Sequence, residues 1–445
     1  MSSYNVRKTP GQTEWFRHDR FGMFIHWGLY ALPARGEWVR GLEKMTPEHY
    51  QRYFDHFNPD MFDAKEWARQ AKAAGMKYVV LTTKHHDGFC LFETKYTDFK
   101  ATNTPAGRDL VREYVDAFRA EGLKIGLYYS LIDWNHPEFP LDNTHPLRDD
   151  PNAPEIDKVR DIKIYAEYMR NQVTELMTNY GKIDILWFDF SYPQYTKHAD
   201  QPWMRMAGKG KDEWESEKLI ELVRGYQPHI IINNRADIEQ DLWTPEQWQP
   251  RDWVRHGKTG EYVTWEACQT FSGHWGYARD EQTWKSPEML IRMLINTVSC
   301  GGNLIMNVGP TARGYFDYRA EEALKVYADW MKYNSRSIYG CTMAEPGLLA
   351  NKPDDVRYTQ SEDGKRLYVH LFAYPFGTLY LDGLGDRVEY AQFLHDGSEI
   401  RYRDVPVDHT NAGQEKHCDS TTGLRLTLPA VKPNVTVPVI EIFLK

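Results

Sequence analysis

Apolar positions along the chain follow two rhythms, and the change between them falls near residue 343. Before it, short continuous apolar runs alternate with longer stretches in which apolar residues recur at helical spacing. The runs lie at 20–27, 77–83, 124–130, 183–189, 229–233, 262–266 and 304–308. Continuous apolar runs of this length read as strands buried on both faces. Between them, residues 63–75 predict a helix. Asp63 can cap it with Glu66 three residues on, Ala64, Trp67, Ala68 and Ala71 share one face, and Gly75 ends it. Further helices are predicted over 108–121, 157–180, 214–225, 286–299 and 317–335, the fourth of these opening on Ser286-Pro287. Strands alternating with helices mean βαβ units and a parallel sheet. Seven or eight of them fit a (β/α)₈-like barrel over residues 1–343, irregular between 190 and 285, where helical spacing is sparse.

From residue 344 to 445 helical spacing disappears. Short alternating runs such as 367–372, 378–381 and 437–444 are separated by Gly, Asp and Pro. This pattern predicts a C-terminal antiparallel β-sandwich.

Polar residues gather where the barrel strands end. The run 183–189 closes on Asp189, and strand alternation puts Trp187 on the same face. His26, the pair His85 and His86, Tyr129 and Arg235 end other strands, and Glu37 and Trp38 follow the first. The C-terminal ends of barrel strands are where such enzymes keep reacting groups. Carboxylates ringed by donors, with indoles nearby, suit cleavage of a glycosidic bond. One carboxyl protonates the departing oxygen and another attacks carbon or activates water. Each residue also has a plainer reading: Asp189 as a helix cap, His26 and Trp187 as core, Arg235 as an ion-pair partner. Vicinal histidines on a strand face opposite ways, so His85 and His86 chelate one ion poorly, and no metal is expected.

Composition narrows the classes. The 445 residues are 41% hydrophobic and 26% charged, as in ordinary globular proteins, while 15 Trp and 28 Tyr are many. Flat aromatic faces suit sugars as well as large cores. A net charge of -9 argues against nucleic acid as a partner. No 18-residue apolar run predicts a membrane span, and the first residues carry no signal-peptide pattern. Five scattered cysteines, Cys90, Cys268, Cys300, Cys341 and Cys418, form no paired spacing, and a cytoplasmic protein with reduced thiols is expected.

Several stretches resemble the α-L-fucosidase family of retaining glycoside hydrolases. They are residues 24–30 with Glu37-Trp38, residues 78–89, 126–130 and 186–189, Trp265-Glu266-Ala267-Cys268, and residues 303–310. The resemblance implies a barrel followed by a β-sandwich, and release of terminal α-L-fucose from a fucosylated oligosaccharide or glycoconjugate without a cofactor. It implies Asp189 as nucleophile, with His26, Glu37, Trp38, His85, His86, Tyr129, Trp187 and Arg235 around the sugar, Tyr128 being the alternative to Tyr129, since only one can face inward. The family often assembles, so a homo-oligomer and a monomer are both left open. Glu246 is expected as acid/base, in a mobile loop, with Glu266 as the second candidate. The family's Trp-x-Asp-Gly reads Trp187-Phe188-Asp189-Phe190 here, which predicts a reshaped pocket rim. A barrel glycosidase for another sugar, such as galactose, and a sugar-binding relative without catalysis are the rival readings.

Overall fold

The computed structural model describes residues 4–193, 208–350, 352–406 and 422–445. Seven parallel strands run β1 (Phe21–Ile25), β2 (Tyr78–Lys84), β3 (Lys124–Ser130), β4 (Ile185–Asp189), β5 (Ile231–Ile232), β6 (Glu266–Thr270) and β7 (Asn303–Val308). Their order is β5-β4-β3-β2-β1-β7-β6. The eighth place, between β5 and β6, is filled by residues 242–246. Isolated parallel bridges join Asn233 to Leu242, Trp243 to Trp265 and Glu246 to Cys268. The ring is therefore of the expected (β/α)₈ kind, with an irregular seam where helical spacing was sparse. The strand predicted at 262–266 is displaced: the ladder runs 266–270.

The helices that pack outside the ring sit close to their predicted places: α1 (Ala64–Ala73), α2 (Leu110–Ala120), α3 (Ile162–Asn179), α4 (Ser216–Tyr226), α5 (Pro287–Ser299) and α6 (Tyr318–Asn334). Caps act as the sequence implies. Asp63 accepts from the amides of Lys65 and Glu66, and Ser286 from that of Met289.

Apolar side chains form two separate layers in the barrel. The larger lies between strands and helices. The smaller fills the ring's interior with Phe24, Tyr78, Val80, Tyr128, Ile185, Trp187, Leu242 and Ile305. Gly22 makes room in it, because a Cβ there would overlap the ring of Tyr78.

Strand β8 (Cys341–Met343) pairs with the C-terminal sheet. The rest of the sandwich is β9 (Val356–Ser361), β10 (Arg366–Leu371), β11 (Thr378–Asp382), β12 (Val388–Phe393), β13 (Arg401–Pro406), β14 (Thr422–Thr427) and β15 (Val439–Leu444). They form two antiparallel sheets, β12-β15-β10-β9-β8 and β11-β14-β13. Tyr368, Leu394, Val437 and Val439 join the barrel's outer core, and the indole of Trp330 donates to the Val437 carbonyl at 3.3 Å. No described helix is long and apolar enough to cross a membrane.

Candidate active site

Alternation aims β4 so that Ile185, Trp187 and Asp189 point into the ring, with Asp189 at its mouth. There a pocket opens, lined by ends of strands and the loops that follow them. Asp189 is its centre. One carboxylate oxygen accepts from the Tyr128 hydroxyl at 2.9 Å, the other from Nη1 of Arg235 at 2.9 Å. Burial pushes this carboxyl above its ordinary range, and Arg235 and Tyr128 oppose the rise.

Arg235 organises two acids. The same Nη1 donates to Glu246 Oε2 at 2.7 Å. The two carboxylate oxygens can thus be no further apart than two hydrogen bonds laid end to end. That upper limit admits the roughly 5–5.5 Å spacing of retaining glycosidases. Nε of Arg235 is held by Thr244 Oγ1 at 3.0 Å, and its guanidinium lies over the Trp187 ring, 4.6 Å from the centroid. Glu246 belongs to the seam segment, not to a swinging loop: Gln247 N donates to the Cys268 carbonyl and Glu266 N to that of Trp243.

Two pocket histidines have assigned faces. Asn307 donates its amide to the Trp275 carbonyl, so its oxygen faces Nδ1 of His26 at 2.6 Å, which must carry the proton. Ser130 Oγ donates to the Ile132 carbonyl, so Nδ1 of His86, 2.6 Å away, is the donor there too. Burial lowers His26 to about 3 and His86 well below its usual range. Both rings are therefore neutral, each presenting a bare Nε2 that accepts from a hydroxyl. Nε2 of His86 lies 4.0 Å from Asp189. Glu37 accepts the amides of Trp275 at 3.2 Å and Gly276 at 2.8 Å, fixing the loop that brings Trp275 over the pocket.

Several expectations need correction. Tyr129 does not reach the site. Tyr128 pairs with Trp187 and Tyr129 with Phe188, so Tyr128 faces in and Tyr129 faces the helices, bonded to Gln172 at 2.8 Å. Glu266 is not at the mouth either. It is the first residue of β6, at the centre of the ring, accepting from Tyr78 at 2.6 Å and from the Trp187 indole at 3.2 Å. Burial raises it to about 7. His85 and His86 both line the pocket, because β2 ends at Lys84 after a register shift and strand alternation no longer applies. His26, Glu37, Trp38, Trp187 and Arg235 line it as expected. No group of three metal-binding side chains occurs among the described residues.

The family model described as Alpha-L-fucosidase matches residues 2–336. The chain belongs to the α-L-fucosidase family. It is accordingly a glycoside hydrolase. Alpha-L-fucosidase of Dictyostelium discoideum is 27% identical, covering 99% of this chain and 93% of its own. Plasma alpha-L-fucosidase of Homo sapiens is 29% identical over 85% of this chain and 79% of its own. Among solved structures, alpha-L-fucosidase isoenzyme 1 from Paenibacillus thiaminolyticus superposes with a TM-score of 0.86 at 44% identity, covering 98% of this chain and 99% of that one. An alpha-L-fucosidase from Bacteroides thetaiotaomicron superposes at 0.79, with 28% identity and coverage of 100% and 98%. It was captured as a covalent intermediate with 2-fluoro-fucosyl fluoride in a glutamate-to-glutamine mutant.

In this fucosidase the pocket also contains Tyr128 and Phe190, together with Phe24, Cys268 and Trp275, which the sequence did not single out as site residues. Phe24 was findable, two residues before His26 on one face of β1. Trp275 was not, since it sits outside any strand. Phe190 holds φ at +79°, where glycine is the easy choice, and its ring lies 5.2 Å from Trp38 and 5.3 Å from His86.

Proposed function

We propose that this enzyme is a retaining exo-α-L-fucosidase in which Asp189 is the nucleophile and Glu246 the acid/base. One observation carries the reading: a single guanidinium nitrogen bridges both carboxylates in a pocket walled by aromatic rings and histidines. The sugar enters end-on, so only a terminal residue is taken. Phe24, Trp187 and Trp275 give it an apolar wall, with Phe24 5.2 and 6.1 Å from the two indoles. A C6 methyl rests there better than a hydroxymethyl group, which favours fucose over galactose. The bare Nε2 atoms of His26 and His86 accept from ring hydroxyls.

Asp189 attacks the anomeric carbon as the C–O bond breaks, and Glu246 delivers its proton to the departing oxygen. A water molecule then gives that proton position back: Glu246 takes a proton from water, whose oxygen displaces Asp189 from the same carbon. Arg235 keeps Asp189 ionised against burial. None of these steps uses a cofactor. A cytoplasmic setting is part of the proposal, supported by four unpaired cysteines among the described residues; Cys418 lies outside them. The test is proton NMR of an aryl α-L-fucoside during turnover. The α-anomer of fucose appears first; β-fucose appearing first overturns the mechanism.

A further inference from the structure

We propose that Glu266, at the centre of the ring, is a positioning residue for the nucleophile: in its ionised form it fixes the indole of Trp187, against which both hydrogen-bond donors of Asp189 pack. This rests on the fucosidase reading above. The indole Nε1 donates to Glu266 Oε2 at 3.2 Å. The face of the same indole carries the Arg235 guanidinium, 4.6 Å from the centroid. The Tyr128 ring stacks on it as well, with centroids 6.0 Å apart and planes 20° apart. Arg235 and Tyr128 in turn donate to the two oxygens of Asp189, at 2.9 Å each. A turn of the indole therefore moves both donors at once, and a misplacement of about 1 Å at a reacting group can cost roughly 10²-fold in rate.

The hydrogen bonds around Glu266 are complete only for a carboxylate. Tyr78 donates its hydroxyl to the other oxygen at 2.6 Å. Asn303 does not take that hydroxyl proton instead, because its Nδ2 donates to the Phe16 carbonyl at 2.8 Å and to the Tyr78 oxygen at 3.3 Å. Protonated on either oxygen, Glu266 brings a third hydrogen to two contacts, and one buried donor is stranded. Around this network Phe24, Val80, Ile185 and Ile305 are apolar. Charge reaches it from Asp19, beside Tyr78, and from Arg235, over the indole. Cys268, further along β6, adds none, since burial pushes its thiol up. Burial also raises Glu266 to about 7, so the carboxyl changes state near neutral pH. A carboxylate holds a donor about twice as strongly as a neutral acceptor does, so the indole is held more tightly above that pH than below it.

Fluorine NMR of the whole enzyme labelled with 5-fluorotryptophan tests the proposal. The Trp187 resonance, assigned by its absence from Trp187→Phe, is expected to titrate in the wild type with a midpoint of about 7 and to stay in place in Glu266→Gln. Activity follows the same ionisation. Glu266→Gln lowers kcat/KM on α-L-fucosyl fluoride roughly five- to tenfold at about pH 8, the difference between a charged and a neutral hydrogen bond, and stays within about twofold of wild type at about pH 5.5. In a Trp187→Phe background, which has no indole N–H to hold, adding Glu266→Gln costs no further activity. Thermal melting checks that each variant folds. A Trp187 resonance that does not move between about pH 5.5 and pH 8.5 overturns the positioning role. So does a Glu266→Gln loss that is equal at both pH values or that persists without the indole N–H. Wild-type enzyme that leaves fucosyl fluoride intact while the resonance still titrates sinks the fucosidase reading instead, so the two failures are distinguishable.

Discussion

At Phe190 a bulky side chain occupies backbone space that favours glycine. Away from such positions Ala stabilises relative to Gly by roughly 0.5–1 kcal/mol. At φ +79° the order reverses, because only residues with a Cβ are strained there. Phe190→Gly is expected to melt above Phe190→Ala; the opposite order would remove the strain argument. Glu266 gives a second residue-scale prediction. The folded protein keeps its proton up to about pH 7, whereas the unfolded chain releases it in the ordinary carboxylate range. Stability contributed by the protonated form is therefore lost as pH rises through that window, by on the order of 3 kcal/mol. Glu266→Gln carries no such loss, so its Tm deficit against wild type shrinks between about pH 4.5 and pH 7.5. A deficit that stays constant with pH contradicts an ionisable Glu266 at the ring's centre.

Among the elements, the seam at 242–246 matters most, since it closes the ring and carries Glu246. A carboxyl held on the barrel wall, when protonated, can donate a proton reproducibly to one oxygen. Glu246→Gln is expected to lower turnover of a fucosyl disaccharide roughly 10²–10⁴-fold, and to spare the first step with fucosyl fluoride, whose leaving group needs no proton. Equal losses on both would assign Glu246 another role. The seam also marks where the sequence stops being readable. Apolar runs, caps and helical spacing located six helices and most strands to within a few residues, because each signal is local. Residues 242–246 have no strand pattern, since isolated bridges, not a ladder, hold them. Tyr128 and Tyr129 could not be told apart from β3 alone. Their facing follows from register against β4, where Tyr128 meets Trp187. His85 and His86 share the pocket only because β2 shifts register near Lys84. Asp189 was legible because a buried run ended on it with an indole two residues before.

Across the whole molecule, barrel and sandwich behave as one body at their contact. Sandwich residues Tyr368, Leu394, Val437 and Val439 complete the barrel's outer core, and the buried Arg20 donates to the carbonyls of Gly301 at 2.7 Å and Cys341 at 2.8 Å. Ending the chain at residue 340 would strip apolar cover from α5 and α6. The truncated protein is expected to aggregate or to melt well below the full chain, and an equally stable, active barrel would refute this. The most direct test of the account is covalent labelling of the full-length Glu246→Gln enzyme with 2-fluoro-fucosyl fluoride, followed by peptide mapping. The label is predicted on Asp189 alone; a label on any other residue, or none on an enzyme that still binds the reagent, contradicts it.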